Sequence, residues 1–214
     1  MVTNHAIERY IQRVMNRNNP TKEINEEDFR RAKDFLVDAV TNSKEFYKGF
    51  FCTKDRETHV NIYKNLILII KGGLLATVWE VSSSKDLIKD VNRYRYALAN
   101  LEKAKKDNTK RCLELKGAKE FFDKSSVVDI NVKFELEKEI DKIFNEGRVL
   151  KLEIEALELL ISYTCYKYTY NRSFKNKCPI SFFVGKQGNY NEKRVSRLVE
   201  GLEILKKEGV YNEI

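Results

Sequence analysis

Residues that hold metals or form redox pairs are scarce in this sequence. It has only two histidines, His5 and His59, and four cysteines, none of them in a C-x-x-C pair. A zinc site needs three or four closely spaced ligands, and these residues are not spaced as partners. We therefore expect no metal and no cofactor, and we interpret the thiols as structural.

The sequence also has no long apolar run and no basic-apolar leader. Its longest apolar stretch, from Leu66 to Trp79, is interrupted by Lys71-Gly72-Gly73 and is too short to span a bilayer. The 214 residues are 42% hydrophobic and 34% charged, which is ordinary for a globular protein. We expect a cytoplasmic protein without a membrane partner.

Acidic residues are nearly absent from one segment near the C-terminus. The net charge is +8, and between Leu160 and Arg197 one acid, Glu192, faces eight basic residues. These are Lys167, Arg172, Lys175, Lys177, Lys186, Lys193, Arg194 and Arg197. Such a block predicts a phosphate backbone or another anionic partner. Tyrosines alternate with these basic residues, and such a mixture can stack nucleobases while binding the phosphate backbone. An equal alternative is that the tyrosines only pack at a helix end.

The first helix is predicted to carry three chemically capable side chains on one face. His5, Arg9 and Arg13 are each four residues apart, so they stack above one another on a helix that Thr3 caps and that runs to about Asn16. Apolar residues on the opposite side would seat this helix: Ile7, Tyr10, Ile11 and Val14. The alternative is a solvated polar face.

A second helix and a small sheet are predicted next. Asn25 is a good N-cap because the acids Glu26, Glu27 and Asp28 follow it at the positive end of the helix dipole. Four β-branched and aromatic segments, separated by short turns, then predict an antiparallel meander. They are Glu45 to Phe51, Thr58 to Lys64, Leu66 to Ile70 and Leu74 to Val81. Residues 1–82 are therefore expected to form an α+β domain.

The opening His-Ala-x-x-Arg-x-x-x-Arg and the strand Ala76-Thr77-Val78-Trp79-Glu80-Val81 carry a resemblance. Together they are similar to small bacterial and phage domains of the BrnT and RelE toxin type, within the barnase-like and RelE-like endoribonucleases. The resemblance covers roughly residues 1–82. It implies that His5, Arg9 and Arg13, and more weakly Thr77, face the sheet as nucleolytic groups.

Metal-free RNA cleavage is the chemistry that these residues would perform. The 2′-hydroxyl attacks the phosphate, which needs a base, an acid and cations for the developing charge. We add His59, Tyr63 and Lys64 from the strand pattern. Either His5 or His59 could serve as acid or base, because imidazole as a chemical group suits both roles near neutral pH. The prediction is that His5 and Arg9 reach a common anion beside the sheet with His59 or Tyr63 nearby. For His59, a strand histidine facing solvent is the alternative.

The remainder, residues 83–214, is predicted to be a mainly helical domain that begins after Ser82-Ser83-Ser84. Ser83-x-x-Asp86 is a capping box, and the helix that follows should reach about Lys106. A helix from Asn131 to Glu146, stopped by Gly147, and another from Val149 to Tyr168 should follow.

The C-terminal part resembles the turn and recognition helix of MarR-type winged helix-turn-helix proteins. Pro179 to Val184 could form a short helix, followed by a turn and a final helix capped by Asn189-x-x-Glu192 and ending at Gly209. The first turns of this helix should expose Lys193, Arg194 and Arg197, which in that family enter the major groove.

These patterns predict a nucleic-acid-directed protein, with RNA favoured over DNA at the N-terminal domain. Three functions remain open at this point: a toxin-type endoribonuclease, a nucleic-acid-binding regulator without catalysis, and a phage-type protein that blocks a host or defence complex. Whether the protein is an enzyme is left open.

Overall fold

The protein is α+β, as predicted. The computed structural model describes residues 1–48, 58–125, 129–170, 178–187 and 191–212. In these ranges a four-stranded antiparallel sheet of order β1-β2-β3-β4 lies among six helices. The strands are β1 (Lys44–Lys48), β2 (Thr58–Tyr63), β3 (Leu66–Lys71) and β4 (Leu74–Glu80). The helices are α1 (Asn4–Tyr10), α2 (Glu26–Asn42), α3 (Ser84–Lys124), α4 (Ile130–Lys167), α5 (Pro179–Gln187) and α6 (Glu192–Lys207), with a π-helical turn (Ile11–Met15) continuing α1.

The predicted N-caps of the first three helices are confirmed. The Thr3 hydroxyl accepts a hydrogen bond from the Ala6 N–H at 3.1 Å, and the Asn25 side chain accepts one from Asp28 at 2.7 Å. Ser83 likewise accepts from the Asp86 N–H at 3.2 Å. Each cap satisfies a backbone donor that the first helical turn leaves unpaired.

Tight turns set the register of the sheet. Gly72 and Gly73, between β3 and β4, both have positive φ, 53° and 75°, which a two-residue hairpin turn of this hand requires. The turn between β2 and β3 begins with Lys64, which also has a positive φ of 52°.

Both faces of the sheet are buried. Leu68 and Val78 pack in a cluster with Ile7, Ile11 and Leu36 of the first two helices. Since side chains alternate along a strand, the neighbouring buried residues face the other way: Ile67, Ile69 and Trp79. On that side the Trp79 ring lies 5.3 Å from the ring of Tyr166 in α4. The sheet is thus covered by helices from both halves of the chain.

The chain forms two compact units that are discontinuous in sequence. Unit 1 comprises Met1–Asn92 and Glu158–Asn189, and unit 2 comprises Arg93–Leu157 and Tyr190–Ile214. We expected a domain boundary after residue 82. This point lies inside unit 1, so the expected boundary does not coincide with the division into these two units. There the Ser82 N–H donates to the Tyr168 carbonyl at 2.9 Å, and Val81 bridges to Thr169.

Helices α3 and α4 are longer than predicted. Helix α3 continues past Lys106 to Lys124, and α4 is one helix where two were expected. Gly147 does not stop α4 but lets the helix pass close to Asn108, whose Oδ1 would be 2.7 Å from a Cβ at that position. Asn108 also donates from Nδ2 to the Ile143 carbonyl at 2.9 Å. The prediction of a break was wrong because the glycine serves packing between the helices.

The last two helices also differ in detail from the prediction. Helix α5 runs through Gly185 to Gln187, so it is longer than expected. Helix α6 begins after Asn191, whose side chain accepts from the Arg194 N–H at 3.3 Å. The predicted cap, Asn189, lies outside the described residues. Gly209 has a φ of 71° just after the helix, as its predicted position at the C-terminal end implies.

No helix in the described ranges has the length and apolar character needed to cross a membrane.

Candidate nucleic-acid interface

His5 and Arg9 lie on the outer part of α1. His5 is exposed on the side of the helix away from Ala6 and Ile7, which are buried in the core cluster. Arg9 is half-buried and donates to the Gln12 side-chain oxygen at 3.0 Å. The residue predicted to act as acid or base therefore does not face the sheet.

Arg13 is bound to the edge of the sheet. Its Nη1 donates to the Thr77 hydroxyl at 3.1 Å and to the Val78 carbonyl at 3.0 Å. The guanidinium carbon lies 3.5 Å from the centre of the Trp79 ring, a cation–π contact. Burial, together with the charge of Arg9, lowers the pKa of Arg13 to about 10, so it stays protonated at neutral pH. This geometry pairs an edge carbonyl of β4 and commits the Nη1 donors of Arg13 to the sheet.

His59 lies elsewhere on the sheet. It sits on β2 and pairs through Nδ1 with the Glu45 carboxylate of β1, while β3 separates β2 from β4. Tyr63 donates to Asp38 at 2.9 Å and stacks edge-on against Phe35. The structure thus brings Arg9 close to Arg13 but does not gather His59 and Tyr63 around them.

A cleft begins where the first helix ends. The turn Ile11–Met15 is π-helical, and the Asn16 N–H closes it by donating to the Ile11 carbonyl at 2.7 Å. Such turns are rare in proteins overall, and those that occur are often found at functional sites. The cleft, about 380 Å³ in volume, is lined by Val14, Met15, Asn16, Arg17, Asn18, Asn19 and Glu80. The Asn16 side-chain nitrogen is shielded from solvent and has no hydrogen-bond partner within the described ranges.

Arg17 lines this cleft and also contacts Tyr170, a residue of the basic segment between Leu160 and Arg197. It continues the four-residue spacing of Arg9 and Arg13, and it pairs with Glu80 at 3.3 Å. Its guanidinium carbon lies 4.2 Å from the centre of the Tyr170 ring. The hydrogen bonds to Glu80 and Tyr170 raise the pKa of Arg17. Arg17 follows Arg13 by four residues in the sequence, but it lies in the turn after the π-helical segment, and our prediction ended at Arg13.

Tyr170 differs from the tyrosines that precede it. Its side chain is 40% exposed, whereas Tyr166 is buried between Trp79 and Phe182. Tyr168 donates to Asp90 at 2.5 Å, and burial with this bond raises its pKa to about 12. Packing therefore explains the earlier tyrosines, and Tyr170, with Arg17 over one face of its ring, is the most exposed of these three.

The predicted basic residues are only partly described. Lys167 is the last residue of α4 and is half-buried. Arg172, Lys175 and Lys177 lie outside the described residues. Counted over the sequence, unit 1 holds 20 Lys and Arg against 14 Asp and Glu, and unit 2 holds 20 against 18. Most of the excess positive charge therefore belongs to unit 1.

The basic residues of α6 are less open than predicted. Lys193 is exposed, Arg194 is half-buried, and Arg197 pairs with the Glu155 carboxylate of α4. Glu155 lies 42 residues away in sequence, so no local pattern could have revealed this pair. The Arg197 side chain is still 41% exposed, but its charge is partly compensated by Glu155.

A comparison with protein-family models, with curated proteins and with solved structures found no match. The resemblances to BrnT and RelE type domains and to the MarR-type helix-turn-helix stay predictions.

Proposed function

We propose that this protein binds single-stranded nucleic acid, RNA in particular, at the cleft beside Arg17 and Tyr170. The observation that carries the proposal is the contact of Arg17 with Tyr170. This contact places Arg17 and the asparagine-lined cleft against Tyr170, which lies within a long acid-free segment. Residues 159 to 191 contain no Asp or Glu.

The chemistry of this corner suits single strands. An exposed tyrosine ring can stack on any unpaired base, and arginine can contact both phosphates and bases. The basic residues after Tyr170 would add electrostatic attraction to the backbone.

Binding without cleavage is favoured over the endoribonuclease. Cleavage needs an acid and a base on either side of one phosphate. In this structure His5 is exposed on the outer side of α1, and His59 is paired with Glu45 on the far strands of the sheet. Arg13 already donates to Thr77 and Val78.

The test is a titration of labelled 20-nucleotide RNA and DNA single strands by fluorescence anisotropy at several salt concentrations. Arg17→Ala should weaken binding and reduce the slope of log affinity against log salt by about 0.7, the contribution of one contact to a single strand. Tyr170→Ala should cost about 1–3 kcal/mol of binding free energy with little change in slope. The matched control is Arg30→Ala, which removes one exposed charge from α2.

Three outcomes would contradict the proposal. The affinity could be insensitive to salt, or Arg17→Ala could behave like Arg30→Ala. Alternatively, the triple change Lys193→Ala, Arg194→Ala, Arg197→Ala could remove two to three units of slope while Arg17→Ala removes none, which would assign binding to α6. Shortened RNA products on a gel, abolished by His5→Ala, would restore the endoribonuclease.

Unit 2 carries an observation that favours a second candidate, the interaction protein. Its long helices expose large apolar side chains: Leu113, Phe121, Phe134 and Phe144. Exposed apolar side chains mark protein-binding sites where they form a contiguous patch. In that case Phe121→Ser with Phe134→Ser should abolish co-purification of a partner that Arg17→Ala retains. If the partner is retained by the double variant, this candidate is lost.

A further inference from the structure

The cleft beside Arg17 contains an acid. Among the described residues that line it, Glu80 is the one that carries a negative charge. Glu80 ends β4, and its carboxylate oxygen Oε2 lies 3.3 Å from Nη1 of Arg17. A carboxylate repels phosphate groups that approach the same place. Glu80 therefore acts against the proposed ligand as long as it carries its charge.

Main-chain contacts fix Glu80 next to Tyr170. The Tyr170 N–H donates to the Glu80 carbonyl oxygen at 3.3 Å, and Val81 forms a bridge with Thr169. These bonds join the end of β4 to the segment that carries Tyr170 without using the Glu80 side chain. The acid and the ring are thus held beside each other independently of the Arg17 side chain.

Arg17 contacts both of these groups. Its guanidinium carbon lies 4.2 Å from the centre of the Tyr170 ring. A single hydrogen bond, from Nη1 of Arg17 to Oε2 of Glu80, joins the charged groups in the part of the chain that the structure describes. The two side chains are 49% and 25% exposed, and exposed pairs with one such bond are weak. A phosphate can therefore replace the carboxylate.

Carboxylate and phosphate oxygens are alternative acceptors for one guanidinium group. Because Glu80 belongs to the same folded unit as Arg17, its local concentration is high, and a free anion competes poorly with it. A strand that also contacts Tyr170 and the basic segment brings its own phosphates to Arg17 at a high local concentration. The acid therefore favours polynucleotides over small anions.

We propose that Glu80 is an internal competitor that sets the specificity of this site. It occupies Arg17 in the free protein and releases it when a nucleic-acid strand binds. The inference rests on the proposed function, since it concerns the same cleft and the same arginine. Removal of the carboxylate should strengthen binding, whereas removal of the arginine should weaken it.

The test is fluorescence anisotropy of the full chain with the labelled RNA. Glu80→Gln keeps the shape of the side chain but loses its charge. It should lower the dissociation constant about two- to fivefold, as the strength of exposed ion pairs implies. The matched control is Glu27→Gln, which removes an exposed carboxylate that pairs with Arg31 in α2 and should bind like the wild type. Far-UV circular dichroism verifies that both variants are folded.

A double change separates competition from simple repulsion. If Glu80 acts by occupying Arg17, the gain from Glu80→Gln should vanish in the Arg17→Ala background. A gain that persists there would mean that Glu80 repels phosphates through space, and the competitor role would be lost.

Inorganic phosphate allows a measurement without RNA. In nitrogen-15 NMR of the arginine side chains, the Arg17 signal is assigned by its absence in Arg17→Ala. On addition of inorganic phosphate this signal should shift in Glu80→Gln and stay in place in the wild type. Equal shifts in the two proteins would contradict the proposal.

The outcomes distinguish a failure of this inference from a failure of the proposed function. If Arg17→Ala weakens RNA binding but Glu80→Gln binds no more tightly than Glu27→Gln, the competitor role is overturned and the binding site stands. Weaker binding by Glu80→Gln would also overturn it and would assign Glu80 to positioning Arg17. If Arg17→Ala binds like Arg30→Ala, the proposed function fails and the competitor role fails with it.

Discussion

Unit 1 and unit 2 bury their side chains in different ways. In unit 1 the sheet is covered on both faces, and residues such as Leu36 and Leu68 have no exposed surface. In unit 2, none of the described residues between 99 and 142 is buried, and the buried cluster lies in the later part of α4 and in α6. A sheet has two faces to fill, whereas a pair of helices alone can shield only the stripe between them.

This difference indicates that stability is unevenly distributed. Buried apolar area is the main favourable contribution to folding, so unit 1 and the contact of α4 with α6 should resist unfolding most. Between residues 105 and 142, hydrogen bonds and exposed ion pairs such as Arg111–Glu139 and Lys119–Glu137 hold α3 and α4 together. Exposed ion pairs contribute little individually.

The largest effect should come from truncating a leucine in each unit. Leu36→Ala, in α2, removes a side chain that is 0% exposed and should cost about 2–5 kcal/mol of unfolding free energy. Leu113→Ala, in α3, removes one that is 66% exposed and should change it by no more than about 0.5 kcal/mol. Urea denaturation measures both. Similar losses for the two variants would show that the helices of unit 2 are covered by a partner in solution.

A smaller effect should distinguish two glycines within unit 2. A Cβ on Gly201 would lie 2.4 Å from the Leu152 carbonyl oxygen, a backbone atom that cannot rotate away. Gly201→Ala should therefore displace α6 and cost about 1–3 kcal/mol. A Cβ on Gly117 would meet no atom within 4 Å, so Gly117→Ala should stabilise α3 by about 0.5–1 kcal/mol. Thermal unfolding of both variants checks the sign, and a stable Gly201→Ala would mean that α6 does not rest on α4 at this point.

The smallest effect is expected for two arginines of unit 1, Arg13 with its contacts to the sheet and Arg9 with a single hydrogen bond. Arg13→Lys keeps the charge but loses the planar fork that contacts Thr77, Val78 and Trp79, so it should cost about 1 kcal/mol. Arg9→Lys, at a half-buried position with one bond to Gln12, should stay within about 0.5 kcal/mol. The urea midpoints of the two variants show which substitution lowers the stability more. If Arg9→Lys is the more damaging change, the assignment of Arg13 to the sheet edge fails.

Local signals in the sequence were sufficient for most of the N-terminal architecture. Thr3, Asn25 and Ser83 begin helices because their side chains bond to backbone donors two or three residues on, and Gly72-Gly73 makes a turn because glycine accepts positive φ. The four predicted strands correspond to β1–β4 within the described residues. These features depend on neighbours in the chain.

Glycine also shows where such local reading fails. Gly147 looked like a helix stop, and only the position of Asn108 reveals that it permits close packing. The prediction of the site was limited in the same way. The four-residue spacing of His5, Arg9 and Arg13 was visible in the sequence, but the spacing did not show which of these side chains contacts the sheet. The π-helical turn shifts the phase of the helix after Tyr10, so ideal α-helical spacing could not place Arg13 and Arg17.

The sequence by itself determined where the first three helices begin, the antiparallel order of the sheet and the concentration of charge before Arg197, because all of these depend on residues a few positions apart. Only the tertiary structure decided that Tyr166 covers the second face of the sheet, that Arg17 meets Tyr170 and that Glu155 holds Arg197. Each of these contacts joins residues far apart in the chain. Burial and chain folding bring them together, and the spacing of residues along the sequence carries no record of such pairs.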